Sequence, residues 1–262
     1  MANEIDKSSF GGVVVALGGI LLGLTLEGGK FTQVMQPTAA LIVFGGTLGA
    51  VLLQYPLSMV LAAFASLVAV FFEPGEDPVH VVKEMVGYAQ KARKDGIVSL
   101  DSGLDKIEDP FLKKSLMLAV DGTEPEELRR IMQLDMENRT ERDDNIPRVF
   151  ESAGGFSPTV GIIGAVLGLI QVMQHLDNIA EVGRGIAVAF VATIYGVAAA
   201  NLFFLPAAGK LRIRFRQIEH RHEIIVEGVA SLLEGMNPRM LETKLMSFIP
   251  ESDQLNLRRG RS

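Results

Sequence analysis

Catalysis needs groups that attack, titrate or coordinate, and this sequence spaces few of them usefully. Its four histidines, His80, His175, His220 and His222, are scattered. His220 and His222 lie two apart in a charged tail helix and so point to different faces. There is no cysteine, which removes disulfides, thiolate metal sites and cysteine nucleophiles. No nucleophile, metal cluster or paired acid and base of the kind an enzyme site requires can be assembled, and no Walker or dinucleotide glycine motif occurs. The sequence therefore predicts no catalytic residue, no metal and no cofactor. A net charge of −6 and a pI near 5.3 give no case for nucleic acid.

The groups that remain are uncharged and sit in apolar surroundings. Thr193 and Tyr195 carry hydroxyls that could hydrate a passing ion or bond their own helix backbone. Pro158 and Pro206 each remove a backbone donor, so each either frees a carbonyl and permits bending or simply punctuates a helix end. Small residues recur at close-packing intervals: Gly161, Gly164, Ala165 and Gly168 in one stretch, and Gly185, Ala189, Thr193, Gly196 and Ala200 in another. Such spacing lets two backbones approach, within one subunit or between copies.

These residues lie in long charge-free stretches, and length decides what the stretches are. Hydrophobic residues make up 48% of the 262. The intervals without Asp, Glu, Lys or Arg number 19 residues after Lys7, 42 after Lys30, 25 after Glu151 and 25 after Arg184. About 20 apolar residues in a helix cross a hydrocarbon core of about 30 Å. The first stretch is not read as a signal peptide, because its leading segment is Glu4-Ile5-Asp6-Lys7 and no small-residue cleavage site follows. Spans are expected near Phe10–Leu26, Met35–Tyr55, Gly154–Leu176 and Gly185–Leu205. Twelve of the Lys and Arg residues fall in 72–153 and ten beyond Pro206, and basic residues mark the cytoplasmic side. Both termini and the central block are accordingly placed inside.

After Pro56 the second stretch continues without charge to Phe72. A short fifth span there would move the N-terminus outside; the preferred reading ends the second span at Pro56 and lets a helix leave the membrane at an angle. Helices are expected over Val79–Ala92, Pro110–Val120 and Glu124–Asn145, the last opened by Thr123-Glu124-Pro125-Glu126. The fold class is all-α: a polytopic membrane protein with four transmembrane helices and a large cytoplasmic helical domain. The expected divisions are 1–56, the first two spans; 57–153, the cytoplasmic domain; 154–206, the third and fourth spans; and 207–262, a cytoplasmic helix and tail. Apart from His175 at the outer end of the third span, the spans hold no ionisable side chain. Such groups usually carry ions across membranes, so this chain would line a path and a partner would bring the carboxylate.

Three segments, Ser157-Pro158-Thr159-Val160-Gly161-Ile162-Ile163-Gly164-Ala165-Val166-Leu167-Gly168-Leu169, Ala192-Thr193-Ile194-Tyr195-Gly196 and Gly235-Met236-Asn237-Pro238-Arg239, together with the layout of two spans, a helical block, two spans and a basic tail, resemble the MotA/PomA family of flagellar stator proteins. TolQ and ExbB proteins are its wider relatives, and an ExbB/TolQ-like energiser of outer-membrane processes is the alternative; those chains have three spans. The resemblance implies a proton-channel subunit in a ring of five copies around a MotB-like peptidoglycan-binding partner whose transmembrane Asp carries the ion. It matches Thr193 to a threonine facing the ion path and Pro158 and Pro206 to the family's two functional prolines. Tyr195 and Ala165 are placed with Thr193 in the path; where sodium-driven members tend to have a further Thr this chain has Ala165, which leans toward protons. It also implies an Arg and an acid engaging a FliG-like rotor protein, here Arg93 and Asp101, the latter where the family often has Glu. Partners are thus further copies, a MotB-like subunit, a rotor protein and lipid.

Overall fold

The structure is a computed structural model and describes residues 6–72 and 78–249. Glu4 and Ile5, the segment 73–77 and the tail end 250–262 lie outside the described residues. Helices α1 (Lys7–Leu26), α2 (Phe31–Val34), α3 (Pro37–Gln54), α4 (Leu57–Ser66), α5 (Val68–Phe71), α6 (Pro78–Asp95), α7 (Pro110–Val120), α8 (Pro125–Gln174), α9 (Ile179–Ala199), α10 (Leu205–Leu233) and α11 (Pro238–Met246) follow one another. A 3-10 segment, Ile97–Lys106, lies between α6 and α7, and a π-helical turn, Ala200–Phe204, joins α9 to α10. Among the described residues the fold is all-α, with four helices long and apolar enough to cross a membrane.

Helix starts follow from local chemistry. Asp6 caps α1 by accepting from the Ser8 and Ser9 amides, Asp109 caps α7 from Phe111 and Leu112, and Asn178 caps α9 from Ala180 and Glu181. Each side chain satisfies amides that the first helical turn leaves without partners. Gly235 ends α10 at φ 73°, where the Met236 amide reaches back to the Ser231 carbonyl at 3.1 Å; that left-handed conformation favours glycine.

The uncharged run after Pro56 folds as α4 and α5, of 10 and 4 residues, broken at Leu67; neither is long enough to span. The helices expected separately over Glu124–Asn145 and Gly154–Leu176 are one unbroken helix of 50 residues, with Pro147 and Pro158 inside it. Proline removes one donor and strains one turn, and here the flanking turns hold the helix together.

Packing divides the chain into two units: 1–74 with 143–214, and 75–142 with 215–262. These cuts reflect packing, whereas the divisions at 56, 153 and 206 follow hydropathy; α8 and α10 pass unbroken through the packing cuts. In the first unit Ala39 and Val43 of α3 pack on Val191 and Ala192 of α9. Helix α1 buries no side chain at all, although Val15 and Leu26 are 75% and 79% exposed; only lipid or another protein suits such a surface. The second unit has an ordinary globular core, with Met85, Leu100, Phe111, Leu116, Met132 and Ile224 among its buried side chains.

Candidate ion path, coupling prolines and rotor face

The small residues of the last two spans pack within the chain. A Cβ added to Gly168 would lie 2.7 Å from the Gly185 carbonyl oxygen and 2.8 Å from the Ala189 nitrogen; one on Gly161 would lie 2.9 Å from the Ala192 carbonyl oxygen; one on Gly164 would meet the Ala192 methyl at 2.8 Å. Nearer the prolines the approach is tighter still, since a Cβ on Gly196 would stand 2.5 Å from the Ser157 carbonyl oxygen and 3.2 Å from Pro158 Cα. Ser157 is fully buried and its hydroxyl donates to the Gly196 carbonyl at 3.0 Å. Of the two open readings of this spacing, packing inside one subunit is realised, because only glycine and alanine permit backbones this close.

Pro158 stands in that crossing against Gly196, and Pro206 follows farther along the facing helix. Lacking an amide hydrogen, Pro158 leaves the Gly154 carbonyl without its usual helical donor. Gly154 in turn packs on Leu205, the residue before Pro206, where an added Cβ would meet the Leu205 side chain at 2.7 Å. The π-helical turn ends there: the Leu205 amide donates five residues back, to the Ala200 carbonyl. A proline ring presses on the carbonyl four residues before it, and widening the preceding turn relieves that pressure, so the π turn and Pro206 form one irregularity. Asn201, within it, donates its side-chain amide to the Val197 carbonyl at 2.9 Å.

Of the three expected path residues, Thr193 and Tyr195 point to different faces of α9. Thr193 is half-buried beside Gly161 and donates to its own helix, to the Ala189 carbonyl at 3.2 Å. Ala165 is half-buried on α8. Tyr195, two residues on, turns toward α3: it donates to the Val34 carbonyl at 2.6 Å, accepts from the Gln36 amide at 3.2 Å and stacks near Phe44. Its hydroxyl therefore pins the approach to the second span. Residues two apart on a helix point about 200° apart, which spacing alone reveals.

In the second unit Arg93 lies in the last turn of α6 and Asp101 in the 3-10 segment. Gly96, at φ 82°, makes the turn between them, and both side chains are exposed.

Comparison with known proteins decides the family. Residues 104–224 match the model of the MotA/TolQ/ExbB proton channel family, and residues 10–96 match that of the motility protein A N-terminal segment. Motility protein A of Bacillus subtilis (strain 168) is 34% identical over 255 residues, covering 96% of this chain and 93% of that one. The chain belongs to the MotA family of flagellar stator proteins. Among solved structures, C. jejuni MotAB superposes with a TM-score of 0.88 at 32% identity, covering 94% of this chain and 96% of that one. The flagellar MotAB stator complex from Bacillus subtilis gives 0.87 at 34%, covering 96% and 99%. MotA-family membership makes this an ion-channel component of a stator and not an enzyme. The match over 10–96 to a motility-protein segment weighs against the ExbB/TolQ alternative.

The MotA-family chain also holds functional scaffolding that sequence reasoning missed. Arg129 reaches Glu126 at 2.8 Å, Glu227 at 3.2 Å and Glu234 at 2.8 Å, and Lys244 pairs with Glu227. The hydrogen bond to Glu227 is the chief cause that raises the Arg129 pKa; burial pushes Glu227 up, but hydrogen bonds from Lys244 and Arg129 outweigh it and hold its pKa down. The network ties α8, α10 and α11 of the second unit. His222 is 6% exposed and stacked 3.9 Å from the Phe111 ring. Burial, the largest cause, lowers its pKa to about 4, so it is a neutral core residue. His220 instead faces the Phe248 carbonyl at 2.8 Å. The different faces were legible; which face was inside was not, because each is one residue in a charged helix.

Proposed function

We propose that this chain, with a MotB-like peptidoglycan-binding subunit, forms a channel that couples cation influx to torque on a FliG-like rotor protein. The observation that carries the reading is the arrangement of the last two spans: they are locked together through glycine contacts, end in the linked Pro158, Pro206 and π-turn irregularity, and contain no acidic or basic side chain apart from His175 at the outer end of the third. A path of that kind supplies a wall and a joint, and leaves the titratable carboxylate to the partner. Thr193 and Ala165 line the wall; Ala165, with no hydroxyl to help hold a dehydrated cation, favours protons over sodium. Tyr195 acts as a strut. Arg93 and Asp101, exposed on either side of the Gly96 turn, face the rotor.

Five copies surround the partner, and both termini are cytoplasmic. Asp6 at the start of the first span touches Lys210 and Arg214 after the fourth, which supports placing those two ends on one side of the membrane, and the basic residues of the central block and tail make that side the inside. The expected divisions, with 57–153 facing the rotor, stand with this reading.

The test is complementation of a bacterium lacking its own stator by this chain and its partner, with cation entry measured in liposomes containing the chain alone or the pair. The pair should restore swimming and conduct; the chain alone should not conduct. Conduction by the chain alone at the rate of the pair would refute the division of labour, and motility in sodium-containing medium only would refute the proton assignment.

A further inference from the structure

Asp6 stands just before the first span and is 1% exposed. One carboxylate oxygen accepts from the Ser8 amide at 3.0 Å, the Ser8 hydroxyl at 2.6 Å and the Ser9 amide at 3.1 Å. The other accepts from Arg214 at 2.8 Å and pairs with Lys210. Lys210 also donates to the Ser8 hydroxyl at 3.3 Å. The same short segment is stitched to the end of α5: the Asp6 amide donates to the Phe71 carbonyl at 2.9 Å, the Ser9 hydroxyl donates to the Val70 carbonyl at 3.0 Å, and the Phe10 and Phe71 rings lie 5.3 Å apart. Three separated stretches of chain therefore meet at the start of α1: α10 on the Asp6 carboxylate, and the end of α5 on the Asp6 amide, the Ser9 hydroxyl and the Phe10 ring.

A helix cap needs only the first of these oxygens. The second is used on two cations, four residues apart on α10, the first of them four residues beyond Pro206. Arg214 is itself 8% exposed, and its Nε has no partner among the described residues, so Asp6 is what balances a buried guanidinium. Removing one member of a buried pair leaves the other uncompensated. The hydrogen bond from Lys210, followed by that from Ser8, holds the Asp6 carboxyl well below the usual carboxylate range, so the pair stays charged throughout the pH range of a living cytoplasm.

We propose that Asp6 is a positioning residue of the coupling apparatus: it clamps α10, just past the Pro206 irregularity, to the start of the first span and the end of α5, so that bending at the π turn becomes directed movement. This rests on the stator reading given above. Without the clamp α10 would swing loosely below Pro206, and cation entry would continue while torque fell.

Asp6→Asn separates clamp from cap, because asparagine still accepts from the Ser8 and Ser9 amides but carries no charge for Lys210 and Arg214. The variant is expressed with its partner in a stator-less strain, and three quantities are measured: complex in the membrane, torque per motor, and cation entry in liposomes. The expected result is complex within twofold of wild type, cation entry within twofold, and torque reduced at least threefold. The double variant Asp6→Asn, Arg214→Gln should lose no more torque than the worse single variant, since the two act as one device. If Asp6→Asn lowers the amount of complex, Lys210→Gln, which removes only the more exposed arm, decides the matter by a partial loss of torque at normal amount. Wild-type torque in Asp6→Asn or Lys210→Gln at normal amount, or losses that multiply in the double variant, would overturn the clamp. Failure of the unmutated chain to restore any motility would overturn the stator reading instead.

Discussion

Gly196→Ala is the sharpest perturbation the fold offers, because the added methyl has nowhere to go. Its carbon would lie 2.5 Å from the Ser157 carbonyl oxygen, 3.1 Å from Gly161 Cα and 3.2 Å from Pro158 Cα. All three are backbone atoms of the facing helix, so no side chain can swing aside and the spans must part by some tenths of an ångström. Overpacking of this kind costs about 1–3 kcal/mol. Parting also stretches the buried Ser157 to Gly196 hydrogen bond of 3.0 Å, a loss of about 0.5–1.5 kcal/mol. Together they come to about 1.5–4.5 kcal/mol, and at about 2–4 °C per kcal/mol for a chain of this size the melting temperature of the purified complex should fall by about 3–18 °C. Gly209→Ala is the control: its Cβ meets nothing within 4 Å, and alanine gains about 0.5–1 kcal/mol in a helix, so its melting point should hold or rise slightly. Scanning calorimetry or tryptophan-free fluorescence melting on both variants gives the comparison. Gly196→Ala melting within 1 °C of wild type would refute the close-packed crossing.

Three further outcomes are expected. Pro158→Ala and Pro206→Ala should each restore a regular turn and give complexes at normal membrane levels with little torque; near-normal motor torque in both would reduce the prolines to helix punctuation. Arg93→Glu with Asp101→Lys should impair swimming while insertion and assembly persist, and normal swimming by the double variant would remove both residues from the rotor face. The pKa of His222 is about 4 when folded against 6.5 for the free group. The neutral ring is the one the core accepts, so its contribution is complete above pH 6.5 and is lost as pH falls toward 4, at about 1.4 kcal/mol per unit. Chemical denaturation of the full chain at pH 7 and pH 5 should show that loss, and His222→Phe should flatten it; an unchanged slope would place the histidine in solvent.

Span positions were legible because membrane thickness imposes a length that composition cannot hide: the four charge-free intervals became helices α1 and α3 and the apolar parts of α8 and α9. The break at Pro56 was legible from proline's effect on the residue before it, whereas the same residue type left the role of Pro158 open. Proline at position 56 caps a helix, whereas Pro147 and Pro158 sit inside one, and local sequence does not distinguish a proline whose flanking turns are held by packing from one whose turns are free. Thr193, Pro158 and Pro206 could be picked out by type and place. Ser157 could not, because its value comes from the Gly196 carbonyl 39 residues away. Asp6 was still less visible, since an acid beside Lys7 near the start of a span looks like solvent-facing charge until α10 brings Lys210 and Arg214 to it. Side-chain partners distant in sequence are what hydropathy and periodicity omit.

The fixed and yielding parts of the fourth span alternate, and the alternation bears on the proposed coupling of cation entry to movement. Gly185, Ala189, Ala192 and Gly196 are held against α8 by backbone contact, and Lys210 and Arg214 are held by Asp6. Between Gly196 and Lys210 the helix is irregular: a π turn, a side-chain amide on a main-chain carbonyl, and a proline. Irregular helix geometry is the usual place for bending. On the proposed reading, a change of charge on the partner's carboxylate would press on the rigid glycine-packed segment, and the next place that segment can yield is the irregular stretch that follows it. Leu205 packs on Gly154, one turn before Pro158, so the third span carries its own weak point at the same level and the two can bend together. On the proposed reading, a joint bounded on one side by glycine packing and on the other by the Asp6 ion pairs would confine the bending to the stretch between them, and loosening either boundary should reduce torque.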